Sequence, residues 1–204
     1  MNDDIQNRHA AVADLPIAER DLDDLHSRLE SSALQQDIVD VGYRVVDTEI
    51  GRLLLAATTA GLVRVAFERE GFDAVLDDLA RRVSSRILCA PTMLDDAATQ
   101  LGEYFGGTRH EFSLPLDYRL SSGFRQQVQR SLPTIGYGHT VTYAQLAHQV
   151  GNPKAVRAVG TACATNPLPV VVPCHRVLRT DGTLGGYLGG VEVKSALLEM
   201  ERAA

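Results

Sequence analysis

Asn166-Pro167-Leu168-Pro169-Val170-Val171-Val172-Pro173-Cys174-His175-Arg176-Val177 is the stretch around which the rest of the chain can be read. Its three prolines exclude a regular helix. Val170-Val171-Val172 is apolar enough to be buried. Pro173 ends that run and leaves Cys174 at the mouth of a rigid turn. A thiol is reactive near neutral pH only with a base or positive charge at hand. His175 follows directly, and Arg176 adds positive charge. Adjacent side chains diverge, so His175 is expected to reach the thiol through a water. An isolated Cys-His pair is more often a buried structural cysteine; the proline frame and the arginine favour a nucleophile.

The flanking pattern is helical. Ser121-Ser122-Gly123 offers a helix start, with Phe124, Val128 and Leu132 at i, i+4 and i+8 and Pro133 as the stop. Thr140 is a good N-cap for a helix through Tyr143, Leu146 and Val150. Gly151-Asn152-Pro153 breaks the chain, and a second helix is predicted over Lys154 to Ala162. Two short helices joined by a glycine turn outline a helix-turn-helix.

Toward the N-terminus the period changes. Val41, Tyr43 and Val45 alternate, Ile50-Gly51 turns, Leu53 to Ala57 is continuously apolar, and Leu62 to Phe67 follows Gly61. These runs predict an antiparallel meander. Helices are expected over residues 71 to 83 and from Met93 to Phe105, with residues 112 to 118 a connecting strand or linker. Residues 1 to 40 read as a tail or cap, with a short acidic amphipathic helix around Asp21-Leu22-Asp23-Asp24-Leu25 and Leu29.

The chain has 204 residues, 45% hydrophobic, with a net charge of −6. That length buries a sizeable core without disulfides or metals. Residues 1 to 50 hold 12 acids and 4 bases, whereas residues 121 to 204 hold 4 acids and 8 bases. Six of those eight bases fall between Arg125 and Arg179, enough for modest, salt-sensitive phosphate binding. Cys89, Cys163 and Cys174 make no disulfide framework or C-x-x-C pair, and the histidines lack zinc-ligand spacing. No apolar run nears the ~20 residues that span a bilayer, and the acidic Met1-Asn2-Asp3-Asp4 start lacks a signal pattern. A cytoplasmic protein with free thiols is expected.

Pro173-Cys174-His175-Arg176-Val177 resembles the signature of the O6-alkylguanine-DNA alkyltransferases (methylated-DNA–protein-cysteine S-methyltransferases). The resemblance takes in Tyr143, Gly151-Asn152-Pro153-Lys154-Ala155-Val156-Arg157-Ala158-Val159-Gly160, Asn166-Pro167, Gly186-Tyr187-Leu188-Gly189-Gly190, Lys194, Leu197-Leu198 and Glu201. It covers residues 121 to 201 in order, and 41 to 118 more loosely. Ordered motifs at the right spacing are far more specific than one short pattern.

What the resemblance implies is an α/β (α+β) protein. A ribonuclease-H-like N-terminal domain (41–118), a small antiparallel sheet with helices, would precede a mainly helical DNA-binding and alkyl-acceptor domain (119–204) with a helix-turn-helix. Residues 1–40 are an extension of unassigned role. The activity implied is DNA repair by direct reversal. Cys174 would take the alkyl group from O6-alkylguanine, or from O4-alkylthymine, in one irreversible turnover with base flipping. His175 would relay the thiol proton through water, oriented by Glu201 as in a triad. Asn166 would tie the active-site turn to the helix-turn-helix, and Tyr143 would donate toward guanine N3. Arg157 would enter the base stack, with Asn152, Ala158, Gly160, Arg125 and Thr180 also on DNA. Pro169, Val177, Tyr187, Leu188 and Gly189 would wall the base pocket. Lys194 would orient pocket groups or sit on the surface.

The implied partner is double-stranded DNA bearing the lesion, with no cofactor, metal or membrane and a monomeric state, cooperativity on DNA being open. The acidic N-terminal segment, −8 over residues 1 to 50, would weaken DNA binding by repulsion. The chain departs from the family in having no Trp: Gln129 and Ala196 stand where Trp is common, changes expected to alter packing. Leu188 is bulkier than usual, which would narrow tolerance for large adducts. Alternatives are a non-catalytic lesion binder, disfavoured by Cys174; an alkylation-sensing regulator; and a thiol hydrolase, which would turn over.

Overall fold

A computed structural model describes residues 19–203. The acidic start read above at residues 1–4 lies outside them. The chain divides into two compact units, with the boundary between Ile38 and Val39. In the first, helix α1 (Glu19–Gln35) is longer than the short helix expected, and Leu22, Leu25 and Leu29 are exposed along it.

The second unit begins with strands β1 (Val41–Val46), β2 (Leu53–Thr58) and β3 (Gly61–Phe67). They form the expected meander: β1 pairs antiparallel with β2, and β2 with β3. Helix α2 (Phe72–Arg82) and a fourth strand, β4 (Ile87–Cys89), follow. β4 pairs parallel with β1, giving the order β3-β2-β1-β4, so the sheet is not wholly antiparallel. Three residues are too few to display an alternating pattern, which is why this strand escaped the periodicity reading.

β2 is central, and all six of its residues are buried. Leu54 and Ala56 face α2 residues Val75 and Leu79. Leu53, Leu55 and Ala57 face the other way, into a larger core with Leu101 and Tyr104 of α3 (Asp95–Phe105). A strand covered on both faces needs a continuous apolar run, and Leu53 to Ala57 supplies one. Residues 112 to 118 are mainly linker, with one parallel bridge from Leu116 to Leu62.

The larger core continues without a break into the C-terminal half. There α4 (Gly123–Ser131), β5 (Val141–Thr142), α5 (Tyr143–Gln149), α6 (Val156–Ala164), β6 (Val177–Leu178) and α7 (Val191–Ala203) contribute Val128, Leu146, Val159, Ala162 and Leu197. Thr142, not Thr140, caps α5. Its hydroxyl accepts from Gln145 N while Gln145 Oε1 accepts from Thr142 N, a reciprocal capping box. Thr140 fails because β5 must first pair with β6. At the other end Gly151 adopts φ 76°, and Gly151 N and Asn152 N donate to His148 O and Ala147 O. This is a Schellman close. α6 starts two residues later than expected because residues 153–155 complete the turn.

Gln129 is fully buried, and its Nε2 donates to Ala162 O at 3.0 Å. A residue expected only to change packing thus ties α4 to the C-terminal end of α6, satisfying a carbonyl that the helix leaves open.

Candidate active site

The turn between α6 and β6 is buried from Asn166 to Val177. No regular ladder runs along it, so its backbone groups are met by short local turns such as Val172 N to Leu168 O and by side chains. Asn166, fully buried, donates from Nδ2 to Val172 O (2.8 Å) and to Cys174 Sγ (3.2 Å), and its Oδ1 accepts from Leu168 N (3.1 Å). An amide that both donates and accepts is the group that can do this. Val170 sits at φ 72°, a conformation that β-branched residues avoid. Holding it there costs about 1–3 kcal/mol. Pro173 has φ −81° and ψ 62°, and Cys174 N donates back to Val172 O, a tight inverse γ-turn that fixes Cys174. From the sheet, Val65 N (2.9 Å) and Arg64 Nη1 (3.3 Å) donate to Pro167 O.

Cys174 is buried, and burial pushes its thiol up to about 11, the Asn166 hydrogen bond and Lys194 charge pulling the other way. At neutral pH it is a thiol, so a base must take its proton. His175 is fully buried, and burial holds its imidazole below the ordinary value, against the opposing pull of Glu201. Its Nε2 lies 2.8 Å from Glu201 Oε1, and its buried Nδ1 has no protein partner. Glu201 is held down to about 2, hydrogen bonds from His175 and Arg176 outweighing its burial. An ionised carboxylate only accepts. Nε2 therefore carries the imidazole proton, and the bare Nδ1 is the basic atom.

Arg176 corrects the sequence reading. It is buried and grips Glu201 through Nε and Nη2 (2.9 and 2.8 Å), so it neither charges the thiol nor belongs to the surface basic patch. The cation acting on Cys174 is Lys194. Lys194 is buried rather than on the surface, with Nζ donating to Val177 O at 2.6 Å.

Tyr143 opens α5, and its phenol is pushed up to about 12 by burial and by the Cys163 and Cys174 thiols, so it remains a donor. A side chain on Gly185 would put Cβ 2.3 Å from Tyr143 Oη, so glycine there makes room for this hydroxyl. Tyr187 packs edge-on against His175 (6.3 Å) and Phe67 (5.6 Å). Gly189 is needed for packing, since a Cβ would meet the Phe67 ring at 2.8 Å. Pro169 and Val177 are buried, and Leu188 borders a cavity of about 270 Å³ together with Asn166, Pro167, Arg64 and Arg125. Of the DNA residues implied by the resemblance, Asn152, Arg157, Ala158, Arg125 and Thr180 are exposed, and of these Arg125 borders the cavity with Leu188. Gly160 is half-buried, and a Cβ there would meet nothing within 4 Å. Its small size answers to no contact within the described residues.

Sequence reasoning missed Tyr104, Gly138 and Gly185. Tyr104 Oη donates to Glu201 Oε1 at 2.6 Å, and Gly138 N to Oε2 at 3.2 Å. Tyr104 and Gly138 are distant in the chain from the Cys-His pair, and only the fold brings them in.

Residues 41–118 match the ribonuclease-like domain of 6-O-methylguanine DNA methyltransferase, and residues 123–203 its DNA-binding domain. The chain is 40% identical over 162 residues to the methylated-DNA–protein-cysteine methyltransferase of Mycolicibacterium paratuberculosis, covering 79% of this chain and 93% of that one. It is also 40% identical to the bifunctional transcriptional activator/DNA repair enzyme Ada of Escherichia coli, covering 79% of this chain and 45% of Ada. The crystal structure of Mycobacterium tuberculosis O6-methylguanine methyltransferase superposes with a TM-score of 0.71 at 38% identity, covering 80% of this chain and 93% of that one. The same organism's OGT in complex with DNA gives 0.69 at 38% identity, covering 79% and 93%. The chain belongs to the 6-O-methylguanine DNA methyltransferase family.

Proposed function

We propose that this protein repairs double-stranded DNA by moving the alkyl group of O6-alkylguanine, or of O4-alkylthymine, onto its own Cys174. The observation that carries the reading is the bare, buried Nδ1 of His175, fixed through Nε2 on Glu201, in the residue that directly follows a thiol held by Asn166.

The target base leaves the stack and enters the site. Cys174 Sγ attacks the alkyl carbon in line; the S–C bond forms and the C–O6 bond breaks. The thiol proton passes through a bridging water to His175 Nδ1, and ionised Glu201 stabilises the imidazolium. Tyr143 donates toward guanine N3, where the leaving purine gathers charge. The thioether is stable, so each molecule acts once and needs no cofactor.

The same reading divides the labour. Residues 119–204 bind DNA and accept the alkyl group, α5 and α6 acting as the helix-turn-helix, with Arg157 filling the vacancy left by the flipped base. Asn152, Ala158, Gly160, Arg125 and Thr180 lie along DNA, and Gly160 lets α6 approach it closely. Pro169, Val177, Tyr187, Leu188 and Gly189 wall the base. Residues 41–118, ribonuclease-H-like, buttress the turn, and the acidic residues 1–40 lower DNA affinity. No helix among the described residues is long and apolar enough to cross a membrane, and the proposed location is the cytoplasm.

Intact-protein mass after incubation with a duplex carrying one O6-methylguanine tests the proposal. One methyl mass gained per molecule, absent in Cys174→Ala, is expected. Lesion-dependent binding by both proteins without mass gain would replace transfer with recognition alone.

A further inference from the structure

Glu201 Oε1 accepts hydrogen bonds from three side chains: His175 Nε2 (2.8 Å), Arg176 Nη2 (2.8 Å) and Nε (3.2 Å), and Tyr104 Oη (2.6 Å). A carboxylate oxygen offers about two lone-pair sites. The three donors therefore compete for its charge, and what Tyr104 draws is withheld from the imidazole. Tyr104 is fully buried on α3, far from the turn in sequence, and is the sheet half's donor to this carboxylate. Its ring is wedged among Phe105, Phe112 and Tyr137 at 5.2–6.0 Å, so the hydroxyl has little freedom to turn away.

We propose that Tyr104 is a positioning residue for alkyl transfer, its hydroxyl setting how much of the Glu201 charge reaches His175 and hence how basic Nδ1 is. The inference rests on the relay reading above. A carboxylate given wholly to His175 would favour the imidazolium in the resting protein and occupy Nδ1 with a proton before the thiol could use it. Sharing Oε1 with Tyr104 keeps the ring neutral and ready. The other groups facing this pair are Arg176 on the turn, Lys194 on α7, Tyr137 before β5 and Tyr187 before α7. Arg176 and Lys194 add positive charge that works in the same direction as Tyr104. The three tyrosines are neutral at working pH, and of these Tyr104 is hydrogen-bonded to the carboxylate.

The test is the pH dependence of the single-turnover methyl-transfer rate, measured with full-length protein in saturating excess over a duplex carrying one O6-methylguanine. Protonation of His175 produces an acid limb. Tyr104→Phe removes one competitor for Oε1, makes His175 easier to protonate and moves that limb to higher pH by about half a unit or more. 3-Fluorotyrosine placed at position 104, a stronger donor of nearly the same shape, moves it to lower pH. The fluorinated protein decides the matter alone if Tyr104→Phe does not fold. An unchanged midpoint in the folded variants, whatever their Tm, reduces Tyr104 to packing and overturns the proposal. A wild-type profile with no acid limb, unchanged by Glu201→Gln, removes the relay reading itself and the proposal with it.

Discussion

The sheet and the active-site turn are both buried, but they are held by opposite means. Between β1, β2 and β3 the facing backbone groups find their partners in a repeating ladder, and side chains need only be apolar and of suitable size. From Asn166 to Val177 a few local backbone turns are supplemented by single side chains: Asn166 for Leu168 and Val172, Arg64 for Pro167, Lys194 for Val177. A ladder spreads its stabilisation over many interchangeable bonds, whereas the turn concentrates it in a few groups. Substitution should therefore be tolerated in the sheet and punished in the turn.

Asn166→Ala tests the contrast most severely. It strands the buried Leu168 N–H, worth about 1–3 kcal/mol, takes one of two donors from Val172 O, and frees the thiol. The Tm should fall sharply, and alkyl transfer by about a hundredfold or more if the thiol moves even 1 Å. A variant with wild-type Tm and rate would show that the turn holds itself.

Glu201→Gln comes next. It leaves Arg176 buried and uncompensated, a loss of about 3–5 kcal/mol. The pH dependence has a definite sign. Glu201 is held at about 2, so its contribution is complete above the ordinary carboxylate range near 4.5 and is lost as pH falls from there toward 2. His175 is held below its ordinary 6.5, so wild-type stability already begins to fall as pH drops through that value. Denaturant titrations from pH 8 to pH 2 should show the drop near the carboxylate range in the wild type and a flatter curve in the variant.

On the sheet side, Leu55→Ala removes a fully buried side chain and should cost about 2–5 kcal/mol. Transfer at a temperature where the variant is folded should stay near wild type, since Leu55 touches none of the turn's hydrogen bonds. A large rate loss would mean that sheet packing and turn geometry are one cooperative unit.

Arg157→Ala lies outside both regions. Arg157 is exposed and its proposed partner is DNA, so Tm should hold while duplex affinity drops and the salt slope decreases by about one. The smallest effect is expected at Leu188→Gly, which widens the mouth of the site. The ratio of benzyl to methyl transfer rates should rise, and an unchanged ratio would remove Leu188 as a size filter.

The sequence reading placed the meander, α2, α3 and the acceptor turn because each has a local cause. Alternation marks β1, continuous apolarity marks β2, and prolines exclude helix around Cys174. It misplaced the cap of α5, since Thr140 and Thr142 are equally good caps and β5–β6 pairing chooses between them. It gave Arg176 to the thiol because proximity in sequence was the only proximity available.

Residue types and their order determined which groups could do the chemistry: a thiol, an imidazole, a carboxylate and an amide in a proline-framed setting. Which of them face one another was settled by the tertiary structure. Glu201 lies 2.8 Å from His175 although 26 residues separate them, and Tyr104 reaches Glu201 across 97. Short-range order follows from backbone sterics and periodicity, which are written locally. The assignment of Arg176 to the carboxylate, Lys194 to the thiol's surroundings and a bare Nδ1 to His175 follows from burial. Once water is excluded each polar group must take whatever partner the packing brings within reach.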